Sequence, residues 1–265
     1  MHCLSFIISI LKQELMDLRE KKDYAARHPW EKARLKALEH IVKNHIADKG
    51  AVKRILDVGC GDAFITTRLF KGMNIEKVDG IDINLSQEQL TSFTYDTPHV
   101  QLHNTYDDLG RYDLVVLTDI IEHIEDDRSF LSSILGKYLV PDGYVLITVP
   151  AFQSLYGSHD VLLGHYRRYT LRELAEVVKD LGLARISGGY LFFSLLPLRM
   201  LQVLWERYVM TKAKAGTGVG NWRGGKLASS IIGNILTLDS YMLMKLSCSG
   251  IIIPGLSAWI LCRKH

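Results

Sequence analysis

Several things are scarce in this chain, and each scarcity excludes a class. Cysteine is sparse: Cys3, Cys60, Cys248 and Cys262 are scattered over 265 residues with neither disulfide nor metal-ligand spacing. That usage fits a reducing, intracellular setting. Excess charge is missing too, since a formal net charge of +3 is too small to argue for nucleic acid. No dense basic stripe appears either. Internal repeats and low-complexity tracts are absent. A clean membrane-spanning run is also lacking: Leu4–Leu11 is interrupted by Ser5 and Ser9, bounded by Lys12, and followed by no convincing small-residue cleavage site. It reads as part of an N-terminal helix able to touch a membrane surface. Residues 246–262 carry no charge, but Pro254-Gly255 and the alternation Ser257-Ala258-Trp259-Ile260 favour a terminal strand there. Apolar material, by contrast, is plentiful at 48% of residues. One domain with additions accounts for the length most simply.

From residue 53 onward, strand and helix patterns alternate. Strands are expected at 53–58, 76–81, 99–103, 112–118 and 143–149, and helices at 62–70, 86–93 and 127–138. The apolar runs Asp113–Leu117 and Tyr144–Val149 suit central strands covered on both faces. Pro141-Asp142-Gly143 reads as a turn that ends one helix and launches the next strand. Thr170 and Glu173 form a capping box for a helix over 171–181, closed by Gly182. Ala184–Tyr190 and Ser257–Cys262 complete the strands. Ahead of this core, Pro29 opens a helix whose Leu35, Leu38, Ile41, Val42 and Ile46 share one face. The resulting division is a helical extension (1–50), an α/β core (51–190), an insert (191–250) and a returning strand (251–265). The fold class is α/β, with a seven-stranded, mostly parallel sheet, helices on both faces and a helical insert before the last strand. Within that insert Arg207, Lys212, Lys214, Arg223 and Lys226 occur without one acid among them. It reads either as a solvated loop between packing helices or as a lid or membrane-surface element for an anionic or lipid-linked substrate.

The motif with most content is Lys-Arg-Ile-Leu-Asp-Val-Gly-Cys-Gly-Asp at 53–62, followed by Val78-Asp79-Gly80-Ile81-Asp82. A strand ending in an acid and two glycines, with a second strand ending in an acid, suits a nucleotide-type cofactor across two strand ends. A dinucleotide fingerprint would need its third glycine at position 64, where Phe64 stands, and no Gly-Lys-Ser/Thr follows for a P-loop. The segment resembles motif I of class I S-adenosylmethionine-dependent methyltransferases, with Ala63 in place of the usual last glycine. The resemblance implies a Rossmann-like sandwich binding S-adenosylmethionine. Gly59 and Gly61, with Cys60 between them, would pass under the amino-acid part of the cofactor. Asp57 would hold its ammonium group or the waters around it. Asp82, followed by Ile83, would accept the ribose hydroxyls. Asn104 and Thr105 would line the adenine side, and Asp119 would be a further cofactor contact.

Residues 118–125, Thr-Asp-Ile-Ile-Glu-His-Ile-Glu, and the polar loop 156–170 leave the same strand ends, where open parallel sheets bind ligands. Asp119, Glu122 and His123 are spaced to share one face of a helical turn. Here the resemblance extends to a bacterial-type methyltransferase subgroup often associated with glycan, lipid or quinone-related molecules. It rests on Asp-x-x-Glu-His, Leu-x-Pro-Asp-Gly, His-Asp-x-x-x-Gly-His-x-Arg-Arg-Tyr-Thr, Trp30 with Arg34, and the Pro254-Gly255-x-Ser257-x-Trp259 ending. For a hydroxyl acceptor His165 is the first candidate base, with His123 and His159 second. Tyr156, Arg167, Arg168 and Tyr169 are candidate substrate contacts, the two arginines as a carboxylate or phosphate clamp. Asp119, Glu122, His123 and His165 are also similar to the Glu-x-x-Glu-His plus His arrangement of metal-dependent O-methyltransferases, which implies an optional divalent ion. The expected activity is methyl transfer to a small-molecule or lipid-linked oxygen in the cytoplasm, with peripheral membrane contact through 191–250. The oligomeric state is open. Rival readings are an NAD-type oxidoreductase, a non-catalytic scaffold that keeps the cofactor fold, and an RNA 2′-O-methyltransferase.

Overall fold

The computed structural model describes residues 27–46, 50, 52–92, 99–107, 109–208 and 225–264. The run Leu4–Leu11 and the basic residues Lys212, Lys214 and Arg223 lie outside them. Helix α1 (Pro29–His45) begins with proline at its first position, where no N–H partner is needed, and the Glu31 carboxylate accepts the His28 N–H at 3.2 Å. The five apolar residues expected on its inner face are all buried.

The core then runs β1 (Arg54–Val58), β2 (Lys77–Ile81), α2 (Gln87–Ser92), β3 (Val100–His103), β4 (Tyr112–Thr118), α3 (Asp127–Tyr138) and β5 (Leu139–Pro150). It continues through α4 (Ser158–Leu163), α5 (Leu171–Asp180), β6 (Leu183–Leu191), α6 (Leu196–Tyr208), α7 (Lys226–Cys248) and β7 (Ser257–Lys264). The sheet order is β3-β2-β1-β4-β5-β7-β6, and only β7 runs antiparallel to its neighbours. One face packs on α3 and α5 through Phe130, Leu131, Leu174 and Val177. The other packs on α1 and α7 through Leu38, Ile41, Leu236 and Met244. Burial on both faces is why β4 and β5 read as unbroken apolar runs.

Two expectations need correction. Residues 61–73 form a string of turns, not a helix. Gly61 and Ala63 both sit at positive φ, 54° and 61°, which breaks the helical start. Single turns such as Thr67 N–H to Ala63 O (3.0 Å) and Leu69 N–H to Ile65 O (2.9 Å) follow without propagating. The apolar spacing is still used, since Phe64, Leu69 and Phe70 are buried. Nor is Pro141-Asp142-Gly143 a turn ahead of a strand. β5 runs through it from Leu139, with Asp142 at φ 61° and a register shift opposite Tyr112 and Leu114. It is a bulge, which tolerates both the proline and the left-handed residue.

Candidate active site

β1, β2, β4 and β5 are parallel, and β6 points the same way because both β5 and β6 oppose β7. Their carboxyl ends therefore share one rim, and the strand order reverses between β1 and β4, where ligands bind in such sheets. Left-handed residues mark four exits along that rim: Gly59 (φ 72°), Asp119 (53°), Phe152 (63°) and Phe192 (64°). Three of them carry side chains, and each such residue costs about 1–3 kcal/mol, a strain that collects at functional sites. At Gly59 a Cβ would lie 1.9 Å from Ile120 Cδ1, so a side chain there would displace Ile120 as well as strain the backbone.

On the β1–β2 side, Asp82 accepts the Gly61 N–H at 3.0 Å and the Asn84 N–H at 2.9 Å. Burial raises its pKa, and those two bonds oppose the rise. Asp57, near the end of β1, is buried; its Oδ2 accepts the Thr66 hydroxyl at 2.6 Å, while Oδ1 has no partner among the described residues. Burial pushes its pKa up to about 7, against the pull of Thr66 and Arg34 and with a small push from Asp82. A buried carboxylate oxygen with nothing to bind fits an ammonium group brought by a cofactor. Cys60 is buried, its thiol pushed well up by burial and by Asp57 and Asp82. Ile83 is half-buried beside Asp82. The Asn104 amide donates to Leu85 O at 3.1 Å, bracing the turn that follows Asp82, and the Thr105 hydroxyl donates to Asp107. Asp119 is held by Arg34 Nη1 at 2.8 Å and by the Thr148 hydroxyl at 3.1 Å.

Across the rim, Ile121–His123 form a single 3₁₀ turn. The His123 and His165 rings meet edge-to-face with centroids 4.6 Å apart. Glu122 is fully buried, and neither of its oxygens has a partner among the described residues. One ligand atom from each of Glu122, His123 and His165 lies within 4.8 Å of the others. Asp119 is not in that group, because its carboxylate is committed to Arg34 and Thr148. Burial and then His165 push the His123 pKa down to about 4, so its imidazole is neutral at physiological pH. Burial, then the Asp119 charge, raises Glu122 well above the ordinary carboxylate range. Two imidazoles and an unsatisfied carboxylate are a donor set that fits a divalent ion.

His165 is oriented from behind. Its Nδ1 lies 2.8 Å from Asp160 Oδ1, and its carbonyl accepts the Tyr156 hydroxyl at 2.5 Å. Asp160 is fully buried and also takes Arg168 Nε at 2.7 Å, Arg199 Nη2 at 2.7 Å and the Gly157 N–H at 2.9 Å. Burial alone would raise its pKa; the His165 hydrogen bond and the Arg168 charge overcome that and hold it far below the usual range. His159, at the start of α4, stands outside the Glu122–His123–His165 group, its pKa lowered by burial and by Arg199.

The paired-arginine clamp expected from sequence is not formed. Arg168 is buried, bonded to Asp160 and to Ala151 O at 3.1 Å, so it is a structural cation. Arg167 instead bonds Glu125 O at 2.5 Å and lies 3.4 Å from Asp127. Tyr169 is also buried, its hydroxyl donating to Asp127 at 2.6 Å. Sequence reasoning missed Asp160 as the hub, Arg199 as its distant partner, and Thr66 as the partner of Asp57. The five-residue step from Asp160 to His165 is a usable signal for the first; the other two are long-range or rotamer-dependent and leave none.

Comparison with known proteins decides the family. A family model described as a methyltransferase domain matches residues 27–187, from α1 into β6. The chain belongs to this family. The methyltransferase is 28% identical over 134 residues to the ubiquinone biosynthesis O-methyltransferase of Rickettsia bellii, covering 48% of this chain and 53% of that protein. It is 29% identical over 118 residues to the Rickettsia felis protein of the same name, covering 42% and 48%. The chain thus spans about half the length of the curated relatives it matches. Among solved structures it resembles a chain of the complex between the Haloferax volcanii Trm112 methyltransferase activator and a methyltransferase, with TM-score 0.53, 16% identity and coverage of 89% and 91%. It also resembles the plantazolicin methyltransferase BpumL in complex with SAH, with TM-score 0.50, 15% identity and coverage of 89% and 85%. At such identities these structures bear on the fold alone, which is that of the class I S-adenosylmethionine-dependent methyltransferases.

Proposed function

We propose that this methyltransferase moves the methyl group of S-adenosylmethionine to an oxygen of a small or lipid-linked acceptor. The observation that carries the reading is the pair of carboxylates at the ends of β1 and β2. Asp57 has one buried oxygen without a partner among the described residues, and Asp82 is steadied by two backbone N–H groups with lone pairs left for a diol. Phe64, packed 4.0 Å beneath the Arg27 guanidinium, fills the turn where a dinucleotide needs glycine and argues against an NAD reading. When bound, the cofactor supplies an electrophilic methyl on a sulfonium. The protein aligns the acceptor in line with it and takes its proton. His165, with Nδ1 anchored on Asp160, has Nε2 for that proton, so it is the preferred base. Oxygen as the acceptor atom is also supported by the names of the Rickettsia relatives. The free cysteines at 60, 248 and 262 suit a reducing, cytoplasmic setting.

Calorimetric titration with S-adenosylmethionine tests the reading. Asp82→Ala removes charge-assisted bonds worth roughly 1.5–3 kcal/mol, so affinity falls at least about tenfold. Equal affinity for wild type and Asp82→Ala removes the proposed cofactor site.

A second reading is favoured by the Glu122 carboxyl group, whose oxygens have no partner among the described residues. Glu122, His123 and His165 would hold a divalent ion that polarises the acceptor oxygen. In that case Asp160 acts as the carboxylate that orients a ligand histidine.

A further inference from the structure

We propose that α6 and α7 form a docking surface for an anionic lipid bilayer. On α6, Arg199, Val203 and Glu206 face the protein: Arg199 reaches Asp160, and all three crowd Gly157. At 100° per residue the opposite side carries Leu198, Leu201 and Trp205, which are 63%, 65% and 59% exposed. α7 is built the same way. Leu236, Ser240 and Leu243 are buried, while Ile231, Leu238 and Met242 on the reverse side are 50%, 70% and 57% exposed. Between Lys226 and Lys245 the only charged residue is Asp239, and it is turned inward to accept the Ser194 N–H at 2.8 Å. Each helix thus has a packed face and a second apolar face open to solvent, far from the isolated exposed leucines of ordinary surfaces.

The stretch joining the two helices identifies the occupant. From Arg207 to Lys226 the chain holds five basic residues and no acid. Lys212, Lys214 and Arg223 lie outside the described residues, but a basic, acid-free connection between two apolar stripes suits by composition an anionic interface, where apolar side chains enter the acyl boundary and cations favour headgroups. A second copy of the chain is a poorer occupant, since its own 207–226 stretch carries the same sign of charge and no acid to complement it. α7 is long and apolar enough to cross a bilayer by length and composition. However, its buried face is sealed against β6 and α1 through Ser247 to Gly188 O at 2.6 Å, Tyr241 to Lys36 O at 3.5 Å, and Leu236 and Met244 in the core. It therefore lies along the surface. The inward face of α6 holds Asp160, and through it His165, so docking sets the acceptor side of the rim near the bilayer. An acceptor drawn from the lipid phase follows, a corollary that rests on the methyl-transfer reading; the docking itself does not.

The test is sedimentation of the full chain with vesicles of phosphatidylglycerol and phosphatidylcholine against vesicles of phosphatidylcholine alone. Binding is expected to be at least about tenfold tighter with the anionic lipid and to weaken as salt is raised. The paired variants Leu201→Ser/Trp205→Ser and Ile231→Ser/Leu238→Ser each lose about tenfold or more. Arg172→Ser, on the far exposed turn of α5, changes nothing. The variant side chains are already in solvent, so circular dichroism melts and S-adenosylmethionine titrations stay at wild-type values. Three results overturn the proposal: no binding of folded wild type to anionic vesicles, unchanged binding by both paired variants, or a dimer in light scattering that these substitutions dissociate. Failure to bind S-adenosylmethionine alongside normal vesicle binding overturns the methyl-transfer reading and leaves the docking surface standing.

Discussion

If Asp57 receives the cofactor ammonium, its buried oxygen, unpartnered among the described residues, makes cofactor affinity depend on pH in a defined direction. With its pKa near 7 in the free protein, this carboxyl is mostly protonated below neutrality. A cofactor ammonium needs the carboxylate, so binding at pH 6 must release a proton, about 0.9 per site. The carboxylate fraction rises from about 3% at pH 5.5 to half at pH 7, which is roughly a fifteenfold gain in affinity over that window. Above about pH 8 the cofactor's own α-amine begins to lose its proton, and the gain stops. Titration calorimetry at pH 5.5, 6, 6.5 and 7 reads the slope, and repeating pH 6 in two buffers of different ionisation enthalpy counts the proton. Asp57→Asn flattens the profile. It also changes stability with a definite sign. The folded pKa lies above the unfolded value, so the contribution of Asp57 is complete below its ordinary pKa and is lost as pH rises through about 7. Over about three units this amounts to no more than about 4 kcal/mol, so the Asn variant melts higher than wild type at pH 8 and not at pH 4. Affinity constant within twofold across the window, with no dependence on buffer, would refute the argument.

Asp160→Asn strips the counter-charge from buried Arg168 and Arg199; denaturant unfolding should record a loss of about 3–5 kcal/mol, and a loss below about 1 kcal/mol would mean the hub is not structural. Gly59→Ala puts a methyl group into Ile120 at positive φ. It should cost about 1–3 kcal/mol in thermal unfolding, with part of that cost recovered in the double variant with Ile120→Ala. For Glu122 the folded pKa is raised, so its contribution is present below the ordinary pKa and is lost as pH rises. Glu122→Gln therefore melts higher than wild type at pH 8 in chelator. If the group holds a metal, added cobalt(II) gives wild type a visible absorption band and gives the Gln variant none.

The placement of the β1–β2 residues on one rim was legible because strand ends are set by local sequence. Asp57, Gly59, Gly61 and Asp82 sit within or just beyond short apolar runs, and the parallel alternation of the chain brings them to one rim. The segment after Gly61 misled because its apolar spacing suits a helix equally well. What undoes the helix is backbone conformation at Gly61 and Ala63, together with a Thr66 side chain spent on Asp57. On the acceptor side, residue type could not separate a substrate-facing arginine from a buried one. Arg167 and Arg168 are neighbours in sequence, yet only the second turns toward Asp160. The partner that completes the Asp160 hub, Arg199, lies in the part of the chain the minimal fold does not require, 39 residues away. No local pattern announces such a pairing.

Of the seven strands in this sheet β7 is made last and yet sits between β5 and β6. Until it is in place, β5 and β6 each keep one long ladder of backbone donors and acceptors unpaired, facing a gap one strand wide. A growing chain released only as far as residue 256 already holds the whole β1–β5 half of the rim, but it presents two adhesive edges to whatever strand arrives first. Completion of this sheet is therefore an event that follows synthesis of the core, and the segment most exposed to mispairing in the meantime is β5, whose far end carries the loop that delivers His165.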